Sequence, residues 1–239
     1  MAHPLPSQLQ LADHVRACRV GNQVILLDLQ RSRYIGVGGT QAHAVGNRIA
    51  GWPLPELQSP TDPEDGVIAP ILHRLINDSM LVERTTSPRH QTAVPLAAAS
   101  LNAEESNRSP FRFRHLVRLC RVTLIASHWV RKLSLEEIVQ RVQALRARRT
   151  RNELAEEPAL RQTVAVYLWL RPFVLTSFDQ CLIDSLALLL YLASDGLFPT
   201  WVVGVRTQPF GAHSWLQQGA TVVNDHHERV RRFEPILNV

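Results

Sequence analysis

The sequence predicts a two-domain α+β protein, and three observations carry that expectation. Short β-rich runs cluster ahead of residue 84, and a stretch rich in Ser, Thr, Ala and Pro fills 85–110. Beyond it a series of helical patterns gives way to four strand-like runs. The expected division is therefore a module over 1–84, a linker over 85–110 and a second domain over 111–239, within the reach of a 239-residue chain.

In the first module, VRACRV and VILLDL are separated by Gly21-Asn22, a tight-turn dipeptide that closes hairpins. SRYIGV adds a third strand to give a meander. Gly38-Gly39 ends it, and TQAHAVGNRIAG reads as a short helix capped by Thr40 and stopped near Gly51. A Pro-rich connection leads to APILHRLINDSMLVER, where Ile71, Leu72, Leu75, Ile76, Met80 and Leu81 recur at helical spacing. A three-stranded sheet with three helices makes a winged-helix-like module of about 70 residues, near the lower limit for independent folding.

The second domain opens with FRFRHLVRLCRVTLIASHWV, whose apolar face includes Cys120. Ser134-Leu135-Glu136-Glu137 is a capping box, in which the serine and the glutamate each satisfy the other's free backbone N–H. Its helix ends in RARRTR, and a further helix over roughly 157–171 stops at Pro172. FDQCLIDSLALLLYLASDG is apolar almost all round, as a buried helix is, with Gly196 as its C-cap. TWVVGVRT, AHSWLQQ, ATVVND and FEPILNV then read as strands, so helices come to pack on an antiparallel sheet.

Composition excludes several classes. Hydrophobic content of 45% with 20% charge is that of a soluble globular protein. The N-terminus lacks a basic stretch followed by an apolar core, and the longest apolar run, Leu186 to Ala193, is too short to span a bilayer. No membrane association is expected. Cys18, Cys120 and Cys181 form no CxxC pair, which favours neither disulfides nor zinc and fits a reducing cytoplasm. The net charge of +5 is almost all arginine, Lys132 being the only lysine. No GxxxxGK[ST] run is present, and no cofactor is expected.

The chemistry centres on Cys181, the first residue of the apolar helix. A helix N-terminus favours thiolate over thiol, but a histidine is needed to distinguish a nucleophile from a packed cysteine. His213 in PFGAHSWLQQG is the candidate. If the loop centred on Gly219 has an odd number of residues, 213 pairs with 225, 215 with 223 and 217 with 221, all on one face. His213 and Asp225 are then cross-strand neighbours, and the carboxylate can steer the imidazole. A loop of even length would put Asp225 on the other face. His226 and His227 could join Asp225 around a metal, but no HExxH or Cys/His spacing supports it, and no metal is expected. Asp184 is expected on the surface or in a cap. Trp201 and Trp215, flanking the site, are expected in the core.

Cys181-Leu182, Ser185-Leu186-Ala187-Leu188, Gly204-Val205, Pro209-Phe210 and Ala212-His213-Ser214-Trp215, ending at Asp225, resemble the lasso-peptide B proteins. These are leader peptidases among the transglutaminase-like, papain-related cysteine hydrolases. The resemblance implies a transglutaminase-like second domain and a catalytic triad of Cys181, His213 and Asp225. The first module, in VILLDLQRSRYIGVG and ILHRLINDSMLV, is similar to the PqqD-like leader-recognition domain, made separately in some lasso systems. It implies that an extended peptide adds as a strand along Arg33, Tyr34, Ile35, Gly36 and Val37, beside a groove lined by Leu72, Leu75 and Ile76. The implied partners are a precursor peptide and an ATP-dependent, asparagine-synthetase-like lasso cyclase. Two alternatives stay open. The same triad serves transglutaminase-type acyl transfer, and the first module could be a winged-helix DNA-binding regulator. For the latter, His73, Arg74 and Asn77 could face a groove, but Asp78 and Glu83 oppose phosphate contact, so no nucleic-acid partner is expected.

Overall fold

The computed structural model describes residues 9–46, 48–53, 65–83, 93–101, 112–147, 157–174 and 180–239. The architecture is α+β, divided into two units, Met1–Thr92 and Ala93–Val239.

The first unit contains the expected meander. Strands β2 (Val15–Val20), β3 (Gln23–Asp28) and β4 (Arg33–Val37) follow β1 (Leu9–Leu11). The β2–β3 hairpin closes on Gly21-Asn22, with Val20 opposite Gln23 and Gly21 at φ +58°, the left-handed geometry this turn needs. At the β3–β4 turn, buried Asp28 accepts hydrogen bonds from the backbone N–H groups of Gln30 (3.1 Å) and Arg31 (3.0 Å). Helix α1 (Gly39–Gly46), β5 (Ile49–Ala50), α2 (Asp65–Asn77) and β6 (Leu81–Glu83) complete the unit.

Two features depart from expectation. A second small sheet of order β5-β1-β6 forms beside the meander. Residues 81–83 belong to it instead of continuing the helix. The helix stops because Ser79 turns left-handed (φ +59°), while Met80 N–H returns to Leu75 O and Ser79 N–H to Ile76 O. That is the Schellman pattern of helix ends. Among the described residues the unit has two helices; residues 54–64, where a third could fall, lie outside them.

In the second unit, β7 (Ala99–Ser100) precedes α3 (Phe113–Lys132), α4 (Leu135–Ala147), α5 (Glu157–Leu170) and a single 3-10 turn at Arg171–Phe173. Then come α6 (Cys181–Ala193), β8 (Thr200–Thr207), β9 (Phe210–Gln218), β10 (Thr221–Val222), α7 (His227–Val230) and β11 (Glu234–Asn238). The capping box forms as expected. Ser134 N–H donates to Glu137 Oε2 at 2.7 Å, and Glu137 N–H donates to Ser134 Oγ at 3.3 Å.

The strands make one sheet of order β11-β8-β9-β10-β7, antiparallel except for β7 alongside β10. Residues 93–101, expected within the linker, are thus partly sheet. Leu101 N–H bonds to Val222 O, Gln217 Nε2 donates to Pro95 O, and Ala97 packs with Trp215 and Val230. Backbone pairing at an open edge leaves little mark on a segment two residues long, so composition alone reads it as loop. Helix α6 is buried from Ile183 through Leu189 and packs on α3, α5 and β9. Its C-terminus closes at Gly196 (φ +82°), with Leu197 N–H bonded back to Leu192 O. No helix among the described residues is long and apolar enough to cross a membrane.

Candidate active site

The second unit brings the three chosen side chains together. Cys181 is the first residue of α6, as the apolar run implied. A polar pin seats this helix on β9: Ser185 Oγ and Ser214 Oγ lie 2.7 Å apart, and Trp201 Nε1 donates to Ser214 Oγ at 2.8 Å. Ser185 is one turn beyond Cys181, and Ser214 follows His213. Fixing one pair therefore fixes the other. The thiol of Cys181 is hydrogen-bonded to the His213 imidazole. His213, 6% exposed, donates from Nε2 to Asp225 Oδ2 at 2.6 Å. Nδ1 is the ring nitrogen left for sulfur.

Asp225 arrives by a route other than the expected one. The β9–β10 loop has two residues, Gly219 and Ala220, with Gln218 opposite Thr221 and Gln217 opposite Val222. The loop is even, so the pairing of 213 with 225, 215 with 223 and 217 with 221 does not form. A continued ladder would carry Asp225 to the wrong face. The ladder instead breaks. Val223 N–H still donates to Leu216 O, but Leu216 N–H is taken at 2.8 Å by the side-chain oxygen of Asn224. The chain bends there, and the bend turns Asp225 onto the imidazole. The same break leaves the outward-facing N–H of Ser214 without a strand partner, and it bonds the Cys181 sulfur.

The electrostatics follow from these contacts. Burial pushes the Cys181 thiol up, but the His213 bond and charge and the N–H groups of Ser214 and Leu182 overcome it, leaving the thiol below its ordinary value. Burial pushes His213 down, and the bonds to Asp225 and Cys181 reverse this, raising it to about 8. Burial pushes Asp225 up; His213, the His226 N–H and Arg229 (3.6 Å) hold it below the usual carboxylate range. Each group is shifted toward its charged form, so the arrangement can present a thiolate beside an imidazolium.

Aromatic groups clamp the histidine. Phe233 lies 5.2 Å from its ring and Trp215 6.0 Å, centroid to centroid. Gly204, opposite His213, makes room: a Cβ there would stand 2.8 Å from the Trp215 ring and 3.0 Å from Phe233. Trp201 and Trp215 are both core residues.

Other expectations fare differently. Asp184 is neither surface nor cap. It is 5% exposed, takes hydrogen bonds from Tyr167 Oη (3.0 Å) and the Asn224 amide, and forms an ion pair with Arg171 Nε (3.1 Å). Burial raises it above the usual range, against the pull of Arg171. Its partners come from α5, the turn after it and the bend after β10, segments whose placement the α6 sequence does not encode. His226 is exposed, and His227 pairs with Ser100, Nδ1 to Oγ at 3.0 Å. No group of three potential ligands is positioned to hold a metal among the described residues. Asn224, Ser214 N–H and Phe233 went unnoticed in the sequence; Asn224 could have been flagged as the residue ahead of the acid, but nothing local shows a broken ladder.

In the first unit, Arg33, Tyr34, Ile35, Gly36 and Val37 form β4, an edge of the meander. Arg33 is held by Asp28 and by Asp78 (3.1 Å). Leu72 and Leu75 do not line a groove: at 1% and 2% exposure they fill the unit's own core. A module this small has few other residues to bury. Ile76 is partly buried against that core.

A thiol at a helix start, an imidazole and a carboxylate thus meet in one hydrogen-bonded line, an arrangement chemically able to present a nucleophilic sulfur. Residues 120–238 match the transglutaminase-like superfamily, and the second unit is a transglutaminase-like domain. The chain is similar to the microcin J25-processing protein McjB of Escherichia coli, 49% identical over 47 residues, which are 20% of this chain and 23% of that protein. The similarity thus spans about a quarter of the relative's length. No solved structure gives a significant match.

Proposed function

We propose that the chain is a cysteine peptidase that removes the leader from a ribosomally made precursor of a lasso peptide. The observation that carries this reading is the continuous hydrogen-bonded line from Cys181 through His213 to Asp225. Support comes from the transglutaminase-like match and the similarity to McjB, a protein named for processing microcin J25. The Cys181 thiolate attacks the carbonyl at the leader–core junction, and the N–H groups at the start of α6, that of Cys181 among them, receive the oxyanion. The His213 imidazolium donates its proton to the departing amine as the C–N bond breaks, with Asp225 fixing the tautomer. His213, now neutral, takes a proton from water as the water oxygen attacks the thioester; the C–S bond breaks, the acid leaves, and the thiolate–imidazolium pair is restored.

The first unit captures the leader as an added strand on β4, with Ile76 beside it. The freed core N-terminus passes to an ATP-dependent, asparagine-synthetase-like cyclase, which closes the ring. Incubating the chain with a candidate precursor and following products by mass spectrometry tests this. Cys181→Ala should abolish cleavage and leave leader affinity unchanged; cleavage that survives the substitution rules the proposal out. The same triad could pass the acyl group to an amine, as transglutaminases do. Adding a free amine separates the two outcomes, since aminolysis adds the mass of the amine to the product.

A further inference from the structure

Beside the site lies a buried carboxylate that the mechanism does not use. Asp184 is a buried carboxylate in the first turn of α6, an almost wholly apolar helix, and burying it carries a desolvation cost that only specific partners offset. Its partners have a pattern. Tyr167 and Arg171 hold the carboxylate from α5 and the turn after it, and the Asn224 amide donates to it from the bend after β10. Asn224 in turn accepts the Leu216 N–H through its side-chain oxygen. Asp184 lies one turn after Cys181 on the nucleophile's helix, and Asn224 immediately precedes Asp225.

We propose that Asp184 and Asn224 form a brace that ties the nucleophile's helix to the strand end bearing Asp225, and so set the spacing of the thiol–imidazole–carboxylate line. The break in the ladder is what makes a brace necessary. After Val223 no regular strand pairing fixes the backbone, yet Asp225 must meet His213 at 2.6 Å. The amide of Asn224 is suited to the task because its two ends differ: the oxygen ends the β9–β10 ladder, and the nitrogen reaches the acid on α6. Both residues are positioning residues, acting through Asp225 and His213 without touching substrate.

This inference rests on the triad reading of the proposed function but not on the identity of the substrate. Its test is therefore the rate of iodoacetamide alkylation of Cys181 in the full chain against pH, read by mass spectrometry of the Cys181 peptide. The charged groups around the sulfur and its partners are His213, Asp225 and Arg229, with Asp184 and Arg171 behind them. Asn224→Ala removes the brace. Asp184→Asn sets two amide NH2 groups face to face, and Asn224→Asp sets two carboxylates face to face. The double swap, Asp184→Asn with Asn224→Asp, restores a donor–acceptor pair with reversed polarity and keeps an oxygen for Leu216 N–H.

Asn224→Ala and Asp184→Asn should move the thiol inflection up toward the free-thiol value of about 8.5 and slow alkylation at pH 6 roughly tenfold. The swap should recover most of that loss, and it should do so even where a single variant fails to fold. Folded Asn224→Ala or Asp184→Asn with the wild-type inflection and rate would overturn the brace, as would a swap that recovers nothing. A wild-type Cys181 that titrates as an ordinary thiol would instead refute the triad reading itself.

Discussion

Asp225→Asn tests the electrostatic account most directly, because asparagine keeps the shape and removes the charge. Its oxygen can still accept the Nε2–H of His213, so the ring stays oriented. The buried imidazole is raised from its ordinary 6.5 to about 8, a preference for the charged form worth roughly 2 kcal/mol. Among the groups that oppose burial, the bond from Asp225 is the largest. Asparagine leaves a neutral acceptor and the Cys181 contacts but no carboxylate, so His213 should fall from about 8 toward 6.5, a loss of up to about thirtyfold in the ratio of charged to neutral ring. The assay is an NMR titration of 13C-labelled imidazole, with His213→Gln identifying the resonance among the ten histidines. Cleavage at neutral pH should fall by a similar factor, since the imidazolium both stabilises the thiolate and protonates the leaving amine. A wild-type midpoint at or below 6.5, or one unmoved by the substitution, would refute the reasoning.

Three further outcomes follow from the same geometry. Cleavage against pH should be bell-shaped: activity appears as Cys181 ionises below its ordinary range and is lost as His213 deprotonates near 8; a rate still climbing through pH 9 would contradict this. Gly204→Ala should lower stability by about 1–3 kcal/mol and reduce activity, because the added carbon meets the Trp215 ring and the Phe233 side chain that clamp His213; thermal melting and cleavage rate check it. Ile76→Asn should weaken leader binding measured by fluorescence anisotropy, while leaving Cys181 alkylation at the wild-type rate.

Much of the fold is legible because the signals are local. The spans of β2 and β8 follow from the residue pattern, the Gly21-Asn22 turn closes where it should, and Ser134 and Glu137 cap as their spacing demands. Helix α6 and the place of Cys181 at its start follow from one apolar run and the polar residues ahead of it. The contact between His213 and Asp225 was anticipated, but on a register that does not form.

By itself the sequence determined which residues are chemically able to act and which elements carry them, since periodicity, turn residues and caps operate within a few positions of the chain. Tertiary structure decided how those elements meet. A side chain, Asn224, takes an N–H that the strand register assigns to the backbone; Asp184 sinks among partners from another helix; and Leu72 and Leu75 are drawn into a core too small to spare them. Each outcome depends on groups distant in sequence competing for the same hydrogen bond or the same buried space. Only the folded chain brings such competitors together.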